Sequence, residues 1–140
     1  MKRLLVLLCI VLFLSTTVFA AVGDTVWDKN WTVTGNNSDV INSLVVGLDG
    51  NLYVGGGGTN MNGTSGGDWW LKKLYPDGTE IWDKNWTTAG VNADSIYSVV
   101  VGLGGNIYAG GYGTNMNGSS SNDWWLKKLY PDGTEIWDKN

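Results

Sequence analysis

The chain carries Asp68-Trp-Trp-Leu-Lys-Lys-Leu-Tyr-Pro-Asp-Gly-Thr-Glu-Ile-Trp-Asp-Lys-Asn85, and the same eighteen residues return unchanged at 123–140. Two runs rich in apolar residues flank the Pro-Asp-Gly centre of this stretch. Proline fixes φ at the first central position of a type I turn, and glycine takes the left-handed bulge position that follows. The stretch therefore predicts a β-hairpin.

A turn of this kind also predicts which residues face each other across the hairpin. The expected pairs are Tyr75 with Thr79, Lys73 with Ile81, Lys72 with Trp82, and Trp70 with Lys84. Lysine side chains would then cover indole rings, and Lys72 would lie diagonal to Glu80 and Lys73 to Asp83. We expect the two lysines to neutralise their own hairpin rather than to bind a ligand.

The hairpin belongs to a longer repeat. Trp27, Trp82 and Trp137 each begin Trp-Asp-Lys-Asn, at a constant offset of 55 residues. Residues 31–85 and 86–140 match at 41 of 55 positions. The sequence therefore predicts two tandem repeat units, 31–85 and 86–140, preceded by a lead segment, 21–30, that repeats only the tail of a unit.

Each unit is expected to form four antiparallel strands, of which the hairpin supplies the third and fourth. The first strand is predicted at 41–48 and 96–103, where apolar residues on both faces indicate a strand covered on both sides. In the second copy one predicted face carries Tyr97, Val99, Val101 and Leu103, and the other carries Ile96 and Val100. Asp-Gly and Gly-Gly turns lead to a second strand at 51–55 and 106–110, and polar loops follow at 56–67 and 111–122.

The N-terminus has the pattern of an export signal. Lys2 and Arg3 precede an apolar run at 4–14, and small residues follow up to Ala20. The run is shorter than the ~18 residues that a spanning helix needs, so cleavage is favoured over a retained membrane anchor. We expect residues 1–20 to be a signal peptide, the protein to be secreted to the periplasm or the cell surface, and no stable membrane span to remain after cleavage.

Removal of the signal peptide changes the composition that matters. The remaining chain has no cysteine and no arginine, and its seven lysines and thirteen acidic residues give a net charge of −6. No disulfide can brace such a chain, and nucleic acid is excluded as a partner because phosphate binding needs clustered cations. Packing must supply the stability, and nine tryptophans in a glycine-rich chain provide the apolar area.

The run Gly105-Asn-Ile-Tyr-Ala-Gly110, followed by Asn122-Asp-Trp-Trp-Leu-Lys-Lys128, resembles the secreted β-propeller repeat of bacteria and archaea. It is also similar to quinoprotein-like blades, in which a glycine followed four residues later by tryptophan docks one blade on the next. Gly78 with Trp82 and Gly133 with Trp137 hold that spacing. The resemblance implies an all-β fold of antiparallel four-stranded propeller blades. No cofactor is expected, since the exported chain lacks the cysteine and arginine of a quinone-binding site.

A closed propeller has typically four to eight blades, so two tandem blades make an incomplete or oligomer-completed β-propeller. The expected partners are further propeller blades or other copies of the chain itself. The favoured interpretation is a fragment of a longer propeller, or a truncated reading frame. The alternative is a short protomer that forms a ring with other chains. The lead segment resembles a fourth strand without its first three, which ring closure would use to complete a last blade.

The sequence offers little for catalysis or metal binding. Without histidine or cysteine in the exported chain, imidazole and thiol chemistry are excluded, and its carboxylates recur at equivalent blade positions. The loop at 59–68 has a faint calcium-loop pattern in Asn60, Asn62 and Gly63, but it lacks the leading Asp and the closing Glu. We expect no enzyme activity and no metal site.

Aromatic residues are the better candidates for ligand binding. Trp69 and Trp124 would stack on sugar rings once per blade if they reach a groove, and otherwise they are core between blades. Tyr97 replaces Asn42 and Tyr112 replaces Gly57, so a ligand site would differ between the copies. The predicted function is a non-enzymatic surface-interaction or scaffold module. The alternative is a lectin-like, carbohydrate-binding propeller, so a protein or a glycan is the expected ligand.

Overall fold

The computed structural model describes residues 25, 27–31, 38–59, 66–88 and 93–140. The predicted signal peptide lies outside these ranges, and so do Asn60, Asn62 and Gly63 of the calcium-like loop. Within the described ranges the only helical element is a single 3₁₀ turn, Met116–Gly118.

Eight strands form two antiparallel sheets of four, in the orders β1-β2-β3-β4 and β5-β6-β7-β8. In the first sheet they are β1 (Val40–Val46), β2 (Leu52–Thr59), β3 (Gly67–Leu74) and β4 (Glu80–Trp86). In the second they are β5 (Ser95–Val101), β6 (Ile107–Thr114), β7 (Asn122–Leu129) and β8 (Glu135–Lys139). The predictions of an all-β fold and of four antiparallel strands in each half are confirmed.

The central hairpin forms, and β4 carries a further bulge in addition to the one predicted at the turn glycine. Gly78 has φ +80 and donates its N–H to the Tyr75 carbonyl at 2.9 Å, so the predicted turn is confirmed. Beyond it the register shifts, and Lys73 pairs with Trp82 while Leu74 pairs with Glu80. The predicted pairs Lys73–Ile81, Lys72–Trp82 and Trp70–Lys84 are therefore wrong by one residue, because a bulge adds one residue to one strand.

A second bulge decides which face the inner strands present. The register of β5 shifts between Ile96 and Ser98, and the same shift occurs between Ile41 and Ser43 in β1. Ile96 and Val99 consequently share the buried face, while Tyr97 and Val100 are exposed. The predicted grouping of Val99 with Tyr97 is wrong, because a bulge reverses the alternation of side chains.

The glycine-rich ends of the second strands are strand rather than loop. Gly56 and Gly57 pair with Trp70 and Trp69, so β2 runs four residues beyond its predicted end at 55. The glycines allow the second sheet to approach closely. A β-carbon at Gly57 would lie 2.6 Å from the hydroxyl oxygen of Ser95, and one at Gly55 would lie 2.6 Å from a methyl of Val99.

The two sheets pack face to face, and the main core lies between them. Ten buried residues form it, nine from the two sheets and Met116 from the 3₁₀ turn: Tyr53, Trp69, Leu71, Ile96, Val99, Ile107, Ala109, Met116, Trp125 and Leu129. A smaller cluster of Val54, Trp70 and Leu74 lies on the other side of the first sheet, where Trp31 packs against it. Residues 27–31, which are the described end of the predicted lead segment together with Trp31, are called the lead segment below.

Candidate functional site

Trp69 lies in the contact between the two sheets and is completely buried there. Trp69 is 0% exposed, and its indole Nε1 donates a hydrogen bond to the Tyr112 carbonyl at 2.7 Å. Its ring lies 4.6 Å from that of Trp125, centroid to centroid. Of the two sequence-based roles for Trp69, ligand stacking and core packing, the structure assigns core packing.

Among the residues that the structure describes, none covers the opposite side of the second sheet. Trp124 is the counterpart of Trp69, 55 residues later in an identical stretch of sequence, yet it is 64% exposed. Tyr97 and Val100 are exposed with it. We call these three residues the trailing face. The trailing face of the second sheet corresponds to the face of the first sheet that the second sheet covers.

Among the described residues, the other side of the first sheet is covered only in part, by residues 27–31, and we define the leading face by its exposed residues Ile41, Leu44 and Val46. Ile41 and Leu44 are 54% and 57% exposed, whereas their counterparts Ile96 and Val99 are 0% and 4% exposed. The expectation that β1 and β5 are covered on both sides is therefore wrong for the described residues. Each sheet has a neighbouring sheet on one side only, so each inner strand has one open face.

A tryptophan of the first sheet also docks on the hairpin turn of the second. Trp82 donates from Nε1 to the carbonyl oxygen of Pro131 at 3.3 Å. Its ring lies over Gly133, where a β-carbon would be 3.3 Å from the indole. Gly133 has φ +83, so the turn needs glycine twice, for its backbone conformation and for the approach of the ring.

The lead segment makes the same contact with the first sheet. Trp27 donates from Nε1 to the Pro76 carbonyl at 3.0 Å, and a β-carbon at Gly78 would lie 3.1 Å from its ring. Each of these residues is 55 positions before its counterpart in the previous contact. Residues 27–31 thus occupy the position that the fourth strand of a preceding sheet would take. Residues 27–31 are not themselves assigned to a strand, and the resemblance of the lead segment to a fourth strand stays a prediction.

A lysine accompanies each of these contacts. Lys72 lies 5.9 Å from the Trp31 ring, and Lys127 lies 5.2 Å from the ring of Trp86, the counterpart of Trp31. Lys72 also forms an ion pair with Glu80 at 2.7 Å, which confirms the predicted diagonal contact. The lysine charges therefore stay balanced while their side chains cover indole rings of the neighbouring element.

Asp83 shows how the bulge changes these pairings. It was expected diagonal to Lys73, but it lies 3.4 Å from Lys72, because the shifted register places it directly opposite that residue. The predicted Lys73–Asp83 pair is therefore wrong.

Lys73 instead joins three parts of the structure. Its Nζ lies 2.9 Å from a carboxylate oxygen of Asp49 and donates to the Pro131 carbonyl at 3.1 Å. Partial burial by itself would raise the pKa of Asp49, but hydrogen bonds from Lys73, Asn51 and Tyr53 hold it well below its usual range. Burial likewise acts to lower the pKa of Lys73, and contacts with Tyr53 and Asp49 raise it overall. The pair therefore stays ionised and links the first sheet to the second.

The sequence-predicted tyrosines lie together on the trailing side. The rings of Tyr97 and Tyr112 are 5.2 Å apart and tilted by 47°. Burial, followed by the neighbouring Tyr97, raises the pKa of Tyr112. Both tyrosines border a groove of about 300 Å³ at the junction of the sheets, with polar lining residues that include Asn42, Asp94 and Ser95. An aromatic pair beside polar side chains is a surface on which a sugar ring can stack.

In the first sheet the corresponding positions serve packing. Asn42 donates from Nδ2 to the Ser95 hydroxyl at 2.9 Å and to the Ile96 carbonyl at 2.8 Å, which joins the two sheets. Gly57 leaves no room for a side chain against Ser95. In the second sheet, Tyr97 and Tyr112 occupy the positions equivalent to Asn42 and Gly57. The trailing face therefore carries different residues from the covered face of the first sheet at these two positions, and the same residue at Trp124.

Asp94 is a buried residue that the sequence analysis did not single out. Its carboxylate accepts hydrogen bonds from the Thr88 N–H, the Thr88 hydroxyl and the Thr114 N–H, all at 2.8 Å. These contacts hold the entry to β5 against the end of β6. The sequence contains one indication of this role. An aspartate also stands at the equivalent position, Asp39, and a residue that recurs just before the first strand of each half suggests a structural role.

Within the described ranges, no three acidic, histidine or cysteine side chains are grouped so that they can hold a metal ion. The same part of the chain contains no helix with the length and apolar character to cross a membrane. No protein-family model matches the chain, and no curated protein matches it. The guides to function are therefore the two open faces and the tyrosine pair.

Proposed function

We propose that the chain is a secreted, non-enzymatic β-propeller repeat segment that serves as a surface-interaction or scaffold module. Its open faces are covered by further four-stranded units of the same kind, as in a longer propeller. The observation that carries this proposal is the contrast between Trp69 and Trp124. Identical sequence surrounds both residues, yet one is fully buried by the next sheet and the other is 64% exposed.

The free energy that burial of Trp124 would contribute favours a further unit on the trailing face. A tryptophan buries 150–250 Å² of mostly apolar surface, at about 25 cal/mol per Å². Covering the exposed part of Trp124 would thus stabilise the structure by roughly 2–4 kcal/mol. The contact between the sheets is also heterologous, since different faces meet. Repetition of such a contact closes a ring when the rotation per unit permits.

A three-unit protein tests the proposal. A copy of residues 86–140 is appended after Asn140, and Tyr97→Asn with Tyr112→Gly restores the residues of the covered face. We expect Trp124→Ala to destabilise this protein by about 3–5 kcal/mol, because the appended unit now buries the indole. In the two-unit chain the same substitution is expected to change stability by no more than about 0.5 kcal/mol. Chemical denaturation followed by circular dichroism measures both values.

Trp69→Ala is the matched control, because the second sheet buries Trp69 in both proteins. It should be costly in each. An equally mild effect of Trp124→Ala in the two-unit and three-unit proteins would show that the appended unit does not cover the trailing face, and the proposal would fail.

The tyrosine pair favours a second candidate function, a lectin-like propeller assembled from short protomers. Tyr97 is exposed and Tyr112 is half-buried beside a polar groove, and the backbone carbonyl of Tyr112, rather than its ring, accepts the Trp69 hydrogen bond between the sheets. Glycan-array binding tests this function, with Tyr97→Asn/Tyr112→Gly as the variant that restores the residues of the first unit. Loss of binding in that variant would support a sugar site, whereas the absence of any bound glycan would exclude it.

A further inference from the structure

One five-residue sequence occurs twice and makes the same contacts twice. Trp-Asp-Lys-Asn-Trp is found at 27–31 and at 82–86, and the first four residues return at 137–140. At 82–86 it belongs to β4 and docks on the second sheet. At 27–31 it is the lead segment and docks on the first sheet.

The site that receives the lead segment is well defined. It consists of the Pro76 carbonyl, which accepts the Trp27 indole hydrogen bond, the bare backbone of Gly78 beneath that ring, and Lys72 beside Trp31. Buried Trp70 packs against Trp31 and completes the site. All four receiving residues lie in β3 or in the turn that follows it, and none belongs to the lead segment itself.

The strand β8 carries a matching ligand for this site. Trp137, Asp138, Lys139 and Asn140 repeat the sequence of residues 27–30. In the hairpin of β7 and β8, Trp137 pairs with Lys128, just as Trp82 pairs with Lys73 in the first hairpin. Trp137 is therefore presented by its own sheet in the way that Trp82 is presented for docking.

We propose that residues 27–31 occupy in cis a docking site that β8 of a second copy of the chain fits in trans, so that this segment controls whether copies join head to tail. The proposal rests on the proposed function, in which the open faces receive further units. It adds the identity of one partner, a second copy, and the element that excludes it.

The lead segment outcompetes β8 of a second copy because it belongs to the same chain as the docking site. A tethered segment competes at an effective concentration on the order of millimolar, whereas a second copy is present at its bulk concentration, often micromolar. The two ligands share Trp-Asp-Lys-Asn, and for these shared residues the tether gives the lead segment an advantage of about a thousandfold at such concentrations. Trp31 adds a contact that residues 137–140 do not repeat. Loss of the lead contacts would remove that advantage and leave the site open.

Sedimentation of the protein recovered from an exporting host tests the proposal. Trp27→Ala/Trp31→Ala removes both indoles of the lead segment and leaves the receiving residues intact. We expect this variant to show a rise of about twofold or more in weight-average mass with concentration, while the unaltered protein does not. Adding Trp137→Ala to the variant should abolish the rise, and an excess of a peptide spanning residues 25–31 should reverse it. A folded double variant that stays monomeric, or association that persists without Trp137, would overturn the proposal.

Circular dichroism checks that the double variant folds. Should it unfold, Trp27→Ala alone is the milder variant, because the Trp27 indole is 39% exposed and Trp31 remains packed. A labelled peptide spanning residues 79–88 should then bind this variant at least about tenfold more tightly than the unaltered protein. Equal binding to the two proteins would refute the proposal. Neither readout involves Trp124, so a failure here is distinguishable from a failure of the proposed function.

Discussion

Trp69 and Trp124 each stand second in the same eighteen-residue sequence, and replacing them with alanine, one at a time, tests how much their different neighbours matter. Trp69 is fully buried, and its indole donates to the Tyr112 carbonyl at 2.7 Å. Trp→Ala in a core costs about 3–5 kcal/mol. We expect a value at the upper end, because the substitution also leaves a buried carbonyl without its donor. Trp124→Ala should change stability by no more than about 0.5 kcal/mol, as is usual for surface substitutions.

Equilibrium unfolding in urea, followed by far-ultraviolet circular dichroism, is the assay. The free energy of unfolding is obtained from the midpoint and slope of each transition, and an unchanged slope shows that the variants unfold like the parent protein. Far-ultraviolet circular dichroism reports the strands and does not depend on the fluorescence of the substituted residue. The two variants serve as controls for each other, since the same side-chain atoms are deleted from each.

The difference between the two variants is what matters. Losses of equal size would mean that the second sheet does not bury Trp69 as the structure shows. A larger loss for Trp124→Ala would mean that a further partner already covers the trailing face under the conditions of the assay. Either result would refute the assignment of one covered and one open face.

Two further predictions concern the contact between the sheets. Asp49→Asn removes the charge that faces Lys73 and should cost less than about 1 kcal/mol, because the carboxylate is partly exposed. The folded-state pKa of Asp49 is depressed, so its contribution should be present above its unfolded pKa of about 4 and decline progressively as the pH falls toward the folded value. The stability difference between the unaltered protein and Asp49→Asn, measured by thermal unfolding, should therefore be smaller at pH 3 than at pH 7. Gly57→Ala should cost about 1–3 kcal/mol in urea unfolding, because its β-carbon would lie 2.6 Å from the Ser95 hydroxyl. Tyr112→Ala, at the counterpart position on the open side, is the control and should cost less; the reverse order would contradict the packing argument.

Much of the fold follows from local patterns. Pro76, Asp77 and Gly78 predict the hairpin turn because proline and glycine restrict or permit backbone angles irrespective of what lies around them. The ends of the strands were harder to predict. Gly56 and Gly57 are expected in a loop from their composition, but they continue β2, where a β-carbon at Gly56 would meet the backbone of β1 and one at Gly57 would meet Ser95 of the second sheet. Such a requirement has no signal in the segment itself.

The candidate site was only partly predictable for the same reason. Tyr97 and Tyr112 are visible as differences between otherwise similar copies, and the structure brings their rings together. Their faces were not predictable by alternation, because the bulge after Ile96 reverses it. The role of Asp94 was not predicted from the sequence, and it is shown by the three hydrogen bonds that its carboxylate accepts.

The sequence by itself determined the all-β character, the hairpin turns and the division into two similar halves, because these depend on backbone preferences and on periodicity within each segment. Only the tertiary structure decided which residues are covered. Trp69 and Trp124 lie in identical eighteen-residue stretches, so no property of the stretch can distinguish them. Burial is a relation between a residue and its neighbours, and the second sheet is present for Trp69 and absent, among the described residues, for Trp124.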